Sequence, residues 1–310
     1  MFDICNSYFY KMNKERIIYL IIYPIIFLFS KLPLWFLYGI SNLIYYLVYY
    51  ILGYRKKTVR KNLALCFPEK TAKERLEIEK NSFKHFVDIF IEMLKGFGIA
   101  QKEIDKRYKY MNPEIFRDLE ASGKSVILLG AHHGNWEWLF NINHHTSIKC
   151  YGAFKKLENK YFNTYVRENR GRFGSVFIPT QDTIPQVLTN YKNNVQSMYG
   201  LLSDQSPQVS KTHYWAPFFG HVVPIHTGAE MLAKRFQFNV IYMHIEMPKR
   251  GHYEITFEKM TAPENTTSEY PLTDIYLKKL EKDISDNPDI YFWTHNRFKH
   301  MGKAPVLQNN

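Results

Sequence analysis

The chain has 310 residues, of which 45% are hydrophobic and 23% charged, and these ordinary values exclude wholesale disorder. Lys and Arg total 41 against 29 Asp and Glu, so the formal net charge of +12 favours anionic partners such as nucleic acid, a phospholipid surface or an acidic substrate. Aromatic residues make up 16%, and a basic, aromatic chain is typical of a membrane interface. The three cysteines form no C-x-x-C pair, so neither a disulfide framework nor a zinc knuckle is expected.

The N-terminus contains a long apolar run, residues 17–52, in which Lys31 is the only formal charge. A membrane-spanning helix needs roughly 20 apolar residues. Pro24 and the break at Leu32-Pro33 divide the run into two pieces, and basic residues flank both ends. The pattern predicts a re-entrant hairpin, or one span plus an interfacial helix. A pair of core helices in a soluble protein is the alternative. We therefore assign residues 1–53 to an N-terminal hydrophobic membrane anchor.

Residues 54–310 are predicted to form one catalytic domain in which helices alternate with strands. A capping box at Thr71-Ala72-Lys73-Glu74 predicts the start of an amphipathic helix that ends near Gly96. The predicted strands are residues 125–129, 149–154, 175–178, 198–202, 239–245 and 253–257, and the predicted helices are residues 159–173, 182–192, 227–236 and 272–284. This alternation predicts an α/β fold with a mixed, largely parallel sheet flanked by helices and preceded by the anchoring segment.

The most informative stretch is SVILLGAHHGNWEWL, residues 125–139, in which a buried strand ends at a pair of histidines. Catalytic groups of α/β sheets gather beyond the carboxyl ends of strands. We expect His132 to lie in this loop and Glu137 to reach back from the first turn of a helix. Glu137 would then hold one imidazole nitrogen protonated, which leaves the other free to take a proton from a hydroxyl. A structural role for the pair is the alternative that this spacing leaves open.

Other functional classes fit the sequence less well. The pairs His132-His133 and His144-His145 suggest a metal site, but neither H-E-x-x-H spacing nor cysteine ligands accompany them, so no metal is expected. A membrane-anchored metallohydrolase is disfavoured for the same reason. A nucleic-acid-binding module would show a helix-turn-helix or RNP pattern, and the sequence contains neither, so no nucleic acid partner is expected.

The sequence resembles a known family in several motifs. The spacing H-x4-E from His132 to Glu137, directly after an apolar strand, resembles the H-x4-D/E signature of the lysophospholipid acyltransferase superfamily. The wider context is similar to the late acyltransferases of lipid A biosynthesis. The segments that carry this resemblance are YRKKTVRKNLALCFPE (54–69), GAHHGNWEW (130–138), RENRGRFG (167–174), SDQSP (203–207), APFFGHVVPIHTGAEMLAKRF (216–236) and NPDIYFWTHNRFKH (287–300).

The resemblance implies an O-acyltransferase that moves a fatty acyl chain from an acyl-carrier-protein or coenzyme A thioester to a hydroxyl of a lipid A precursor. It implies His132 as general base with Glu137 as its partner, and Arg170, Asp204 and Arg167 as substrate-binding residues. No cofactor is expected beyond the acyl thioester co-substrate. The expected location is the bacterial inner membrane, with the catalytic domain on the cytoplasmic side. Acylation of another glycolipid or of a lysophospholipid is the alternative.

Overall fold

The computed structural model of the protein describes residues 2–305. Met1 and residues 306–310, which belong to the predicted anchor and catalytic domain, lie outside the described residues. Helix α1 (Phe2–Lys31) continues through Pro24, so the division predicted at this proline is wrong. Proline removes one backbone hydrogen bond, but the apolar turns on both sides keep the helix continuous. The chain turns only at Leu32-Pro33, and helix α2 (Leu34–Tyr46) then runs into a π-helical segment (Leu47–Ile51).

Helix α2 packs on the longest helix of the predicted catalytic domain. After α3 (Lys56–Cys66), helix α4 (Ala72–Gly96) begins at the predicted capping box, whose two reciprocal hydrogen bonds are both present. The Tyr38 hydroxyl donates to Glu92 at 2.7 Å, and the Ser41 hydroxyl donates to Asp88 at 2.5 Å. Residues 34–53 are therefore attached to the catalytic domain by hydrogen bonds to its buried carboxylates.

The remaining elements alternate much as predicted. The other helices are α5 (Gln101–Arg107), α6 (Ile115–Ala121), α7 (Lys160–Gly171), α8 (Thr183–Lys192), α9 (Gly228–Phe236) and α10 (Pro271–Asp286), and a 3-10 helix covers Glu137–His144. The strands are β1 (Tyr108–Tyr110), β2 (Val126–Gly130), β3 (Lys149–Phe154), β4 (Val176–Pro179), β5 (Ser197–Leu202), β6 (Tyr214–Phe218), β7 (His221–Ile225), β8 (Asn239–Lys249) and β9 (His252–Lys259). All six predicted strands are present, whereas β1 and the β6–β7 hairpin were not predicted.

Within residues 2–305, seven strands form one sheet in the order β1-β9-β8-β2-β5-β3-β4. Only β8 and β9 pair antiparallel, so the prediction of an α/β fold with a mixed, largely parallel sheet is confirmed. Strands β2 and β5 are neighbours at the centre, and Gly130 is paired with Leu202 at their carboxyl ends. Strand β2 is buried along its whole length, as expected for a central parallel strand.

Candidate active site

The register of two central strands places His132 beside Asp204. Each residue follows its strand by two positions, and the two strand ends, Gly130 and Leu202, are paired. Parallel strands present their carboxyl ends at the same edge of the sheet, so the two side chains meet there. The His132 Nδ1–H donates to Asp204 Oδ1 at 2.8 Å, and the carboxylate is almost wholly buried.

The environment of this pair favours the charged forms of both residues. Burial by itself would lower the pKa of His132, but the charge and hydrogen bond of Asp204, together with the charge of Glu137, raise it overall. Burial likewise opposes ionisation of Asp204, yet the charge and hydrogen bond of His132 hold the pKa of this carboxyl below its usual value. The Gln205 amide lies 3.3 Å from His132 Nε2 and can donate to it when that nitrogen carries the lone pair.

The carboxylate of Glu137 bonds Arg170 and not the imidazole. Arg170 donates to Glu137 Oε2 at 2.5 Å, and both side chains are about four-fifths buried. The hydrogen bond that we predicted between Glu137 and His132 is therefore wrong within the described residues, because the strand register gives the imidazole a nearer carboxylate. Glu137 still acts on His132 through its charge. Of the predicted site residues, His132, Glu137, Arg170 and Asp204 are brought together.

The loop that carries His132 and Glu137 is fixed by a buried carboxylate on α4. Asn135 donates to Glu92 at 2.6 Å and accepts from the Trp138 amide at 3.0 Å. Glu92 is fully buried and also accepts from the hydroxyl of Tyr253 at 2.8 Å and that of Tyr38. Burial raises the pKa of Glu92 to about 7, against the lowering effect of these hydrogen bonds. No sequence pattern predicted this contact, because Glu92 lies on an otherwise ordinary amphipathic helix.

Gly134 lets the loop pass close to the sheet. Its φ of +61° lies in the left-handed region, and a β-carbon there would lie 2.4 Å from Cγ2 of Ile245. A side chain at this position would therefore be both strained and blocked. Glycine is required here for the loop geometry that brings His132 to the strand ends.

The segment 287–300 packs against the loop after β2, which carries His132, and the loop after β5, which carries Asp204. The Phe292 amide donates to the carbonyl of His132 at 3.0 Å. The Ser206 amide donates to His295 Nε2 at 3.1 Å, and the Arg297 guanidinium donates to the Ser206 hydroxyl at 3.3 Å. Arg297 is buried, so this segment supports the loops from within the protein.

An apolar cavity of about 470 Å³ opens beside these residues. Its volume is that of a typical small-molecule site. The acidic and basic residues of its wall are His132, Glu137, Lys155 and Arg170. The rest of the wall is mostly hydrocarbon and includes Met93, Phe97, Leu128, Leu139, Phe140, Ile142, Phe154, Phe177, Met198 and Leu202. A cavity of this composition is suited to an extended hydrocarbon chain whose polar end lies at the histidine.

The predicted substrate-binding residue Arg167 is not part of this cavity. It is exposed on α7, one helical turn before Arg170, which lines the cavity wall. Their spacing of three residues places the two arginines on the same side of a helix. In the packed α7, however, Arg170 faces the cavity and Arg167 faces solvent. The residues that our prediction missed at the site are Gln205, Asn135 and Glu92.

The sequence matches a known protein family. The family model described as bacterial lipid A biosynthesis acyltransferase matches residues 8–300, which is nearly the whole chain. The chain belongs to this family. The resemblance stated from its motifs is thereby confirmed, and the match includes every residue of the site from Glu92 to Arg297.

This member of the lipid A acyltransferase family has curated relatives of low sequence identity whose similarity covers most of the chain. The lipid A biosynthesis lauroyltransferase of Escherichia coli (strain K12) is 24% identical over 253 residues, covering 79% of each chain. The lipid A biosynthesis palmitoleoyltransferase of the same strain is 21% identical over 258 residues, and it also covers 79% of each chain. The lipid A biosynthesis acyltransferase of Shigella flexneri is similar to the same extent.

Proposed function

We propose that the protein transfers a fatty acyl chain from a thioester to a hydroxyl of a lipid A precursor, with His132 as general base. The observation that carries this proposal is the position of His132 in the wall of an apolar cavity, with Nδ1 bonded to buried Asp204. A bound carboxylate fixes the tautomer in which Nε2 can accept a proton, and it stabilises the imidazolium that forms.

The chemical step follows from this geometry. His132 Nε2 takes the proton of the acceptor hydroxyl as its oxygen attacks the thioester carbonyl. The tetrahedral intermediate then expels the thiolate, which takes the proton back from His132, and the acyl chain remains on the acceptor as an ester. The negative oxygen of the intermediate needs a donor, and we assign this role to Arg170, which lines the cavity together with His132.

Glu137 is then a positioning residue for Arg170. Its carboxylate holds one guanidinium nitrogen at 2.5 Å, and the Phe177 ring lies 5.6 Å beneath the guanidinium carbon. The other guanidinium N–H groups are available to a thioester oxygen or to a phosphate of the acceptor. Arg170 keeps the substrate-site role that the family resemblance implies. Asp204, by contrast, is buried against His132 and positions the base, and Arg167 is exposed outside the cavity.

The charge of the chain supports an anionic donor. Acyl carrier protein and coenzyme A are both acidic, and a net charge of +12 favours either of them. Lipid A precursors carry phosphates, for which the same charge is favourable. No cofactor besides the acyl thioester is required by this mechanism.

An apolar outer surface on the N-terminal helices supports attachment to a membrane. The segment Leu34–Ile51 is long and apolar enough to cross one. Large apolar side chains of the first helices that are more than half exposed include Ile17, Leu20, Ile21, Ile25, Leu28, Trp35, Leu43, Ile51 and Leu52. Exposed apolar patches of this extent mark membrane or protein contacts. We place the protein at the bacterial inner membrane, with the catalytic domain on the cytoplasmic side, where acyl thioesters are available.

The test of the activity uses full-length protein in detergent with a lipid A precursor and, in separate reactions, acyl-carrier-protein and coenzyme A thioesters. We expect transfer by the wild type and a fall of about 10²–10⁴-fold in His132→Ala. His144→Ala is the matched control, because His144 is exposed outside the cavity. Mass spectrometry of lipids from a deletion strain identifies the acceptor. Loss of an acyl chain from a glycolipid or phospholipid, with lipid A intact, would establish the alternative acceptor.

Attachment to the membrane has its own test. We expect the full-length chain to remain in the membrane fraction after washing with high salt or carbonate, because apolar burial does not depend on ionic strength. Release by either wash would exclude an integral anchor.

A further inference from the structure

We propose that position 200 determines the length of the acyl chain that the enzyme accepts. This inference rests on the proposed function, because it assigns the apolar cavity to the acyl chain. The cavity runs along one face of strands β2, β5 and β3, from the polar residues at the strand ends toward the start of the strands. Because the strands are parallel and in register, residues on this face form levels across the sheet.

The levels give the cavity a measurable depth. Leu202 marks the upper level, beside the loop of His132. Gly200 and its register partner Gly152 mark the middle level, and Met198 with its partner Cys150 marks the lowest. Alternate residues of a strand are about 7 Å apart, so each level adds this length of hydrocarbon chain. Met198 and Cys150 are buried side chains that close the lower end of the wall.

The two glycines of the middle level are not equivalent. The space above Gly152 is already filled, since a β-carbon there would lie 2.8 Å from Cε1 of Phe177. At Gly200 the nearest neighbour of a β-carbon would be the carbonyl oxygen of Tyr151, at 3.7 Å. Only at Gly200 can a side chain therefore enter the cavity without moving the wall. The missing side chain at this position leaves the passage to the Met198 level open.

A side chain at position 200 should stop a substrate chain at the middle level. Each methylene that no longer fits weakens binding roughly fourfold. For Gly200→Leu, we expect the ratio of kcat/KM for long chains to that for short chains to fall by about 100-fold or more. Gly200→Ala should shift the same ratio by only a few fold. Met198→Ala enlarges the lower level and should shift the preference toward longer chains.

The experiment measures kcat/KM of the full-length protein for a series of acyl thioesters of increasing chain length. Gly228→Leu is the matched control, because Gly228 is exposed, is free of neighbours within 4 Å and lies outside the cavity. We expect the control to keep the wild-type profile. Circular dichroism melting reports whether each variant is folded, and the mild Gly200→Ala and the opposite Met198→Ala shifts remain measurable if Gly200→Leu does not fold.

The outcomes separate this inference from the proposed function. A wild type without acyl transfer would overturn the proposed function itself. An active wild type whose Gly200 variants lose rate equally for all chain lengths, or keep an unchanged profile, would overturn the inference alone. A shift to shorter chains in the Gly200 variants and to longer chains in Met198→Ala establishes it.

Discussion

His132 and Asp204 are 72 residues apart in the chain, and the imidazole Nδ1 lies 2.8 Å from the buried carboxylate. This contact depends on the pairing of Gly130 with Leu202, because each of the two residues lies two positions after its paired strand end. The pKa of the proposed base is therefore raised by a carboxylate that follows the neighbouring strand β5.

We expect the pH profile of acyl transfer to depend on Asp204. The base is active when neutral, so kcat/KM rises with pH through the pKa of His132, which lies above its usual value because of Asp204. In Asp204→Asn, His132 stays buried but the neighbouring negative charge is gone. The rising limb of the pH profile should therefore move to lower pH. The plateau rate should fall by about 10²–10⁴-fold. Steady-state kinetics across pH would show both changes.

Tyr291→Phe is a control for that experiment. It removes only the 3.3 Å hydrogen bond from the Tyr291 hydroxyl to Asp204 Oδ2 and keeps the charge. We expect a small shift of the limb. An Asp204→Asn enzyme with the wild-type limb would show that Asp204 does not set the pKa of the base.

A double-mutant cycle should show that Glu137 and Arg170 act as a unit. The two groups are bonded at 2.5 Å in a mostly buried setting, so their effects on kcat/KM should not add. We expect Glu137→Gln and Arg170→Ala each to lower kcat/KM, and the double variant to be no worse than Arg170→Ala. The coupling should be about 1–3 kcal/mol. Additive effects would contradict a positioning role for Glu137.

Arg170→Lys distinguishes two uses of the guanidinium. An ammonium supplies the charge for an oxyanion but not the planar fork that binds a phosphate. Partial rescue of turnover by Lys would indicate the oxyanion role. A loss equal to that of Arg170→Ala, confined to the apparent affinity for the acceptor, would indicate phosphate recognition.

We expect Glu92→Gln to change how stability depends on pH. The folded-state pKa of Glu92 is raised to about 7, so the protonated form favours folding, and this contribution is lost as pH rises from the unfolded value toward 7. The wild type should lose on the order of 3 kcal/mol of its free energy of unfolding over this range. Glu92→Gln should show no such loss, because the amide does not ionise. Melting temperatures of the variant relative to the wild type should therefore improve from pH 5 to pH 8. A constant difference over this range would show that Glu92 is ionised throughout.

A chain that begins at Tyr54 should lose its fold as well as its membrane attachment. It lacks the hydroxyls of Tyr38 and Ser41 that bond the carboxylates of Glu92 and Asp88. A hydrogen bond contributes about 0.5–1.5 kcal/mol, or about 1.5–3 kcal/mol when its acceptor is charged, and the buried face of α2 is lost as well. We expect aggregation or a melting temperature far below that of the full chain in detergent.

Tyr38→Phe isolates one of these contacts in the full-length protein. It should lower the melting temperature without changing retention in the membrane fraction, because the ring is kept. A fragment from Tyr54 that melts and catalyses like the full chain would instead show that the anchor is separable.

Most of the secondary structure could be predicted from local sequence patterns. The capping box fixed the start of α4, and apolar runs bounded by turns located the six predicted strands, because these are local properties. Strand β1 was missed because it has three residues and pairs with a distant strand. The β6–β7 hairpin was missed because Pro217 and Pro224 interrupt its strand pattern.

The contacts among the site residues depend on the tertiary structure. His132 and Glu137 were predicted from their spacing, and Arg170 and Asp204 from the family resemblance. The register of β2 with β5 then places Asp204 beside the imidazole, and Glu137 bonds Arg170 instead. The open space above Gly200 and the closed space above Gly152 likewise depend on the position of a ring from a third strand. Hydrogen-bond partners and cavity shape are set by contacts distant in sequence, which local patterns do not encode.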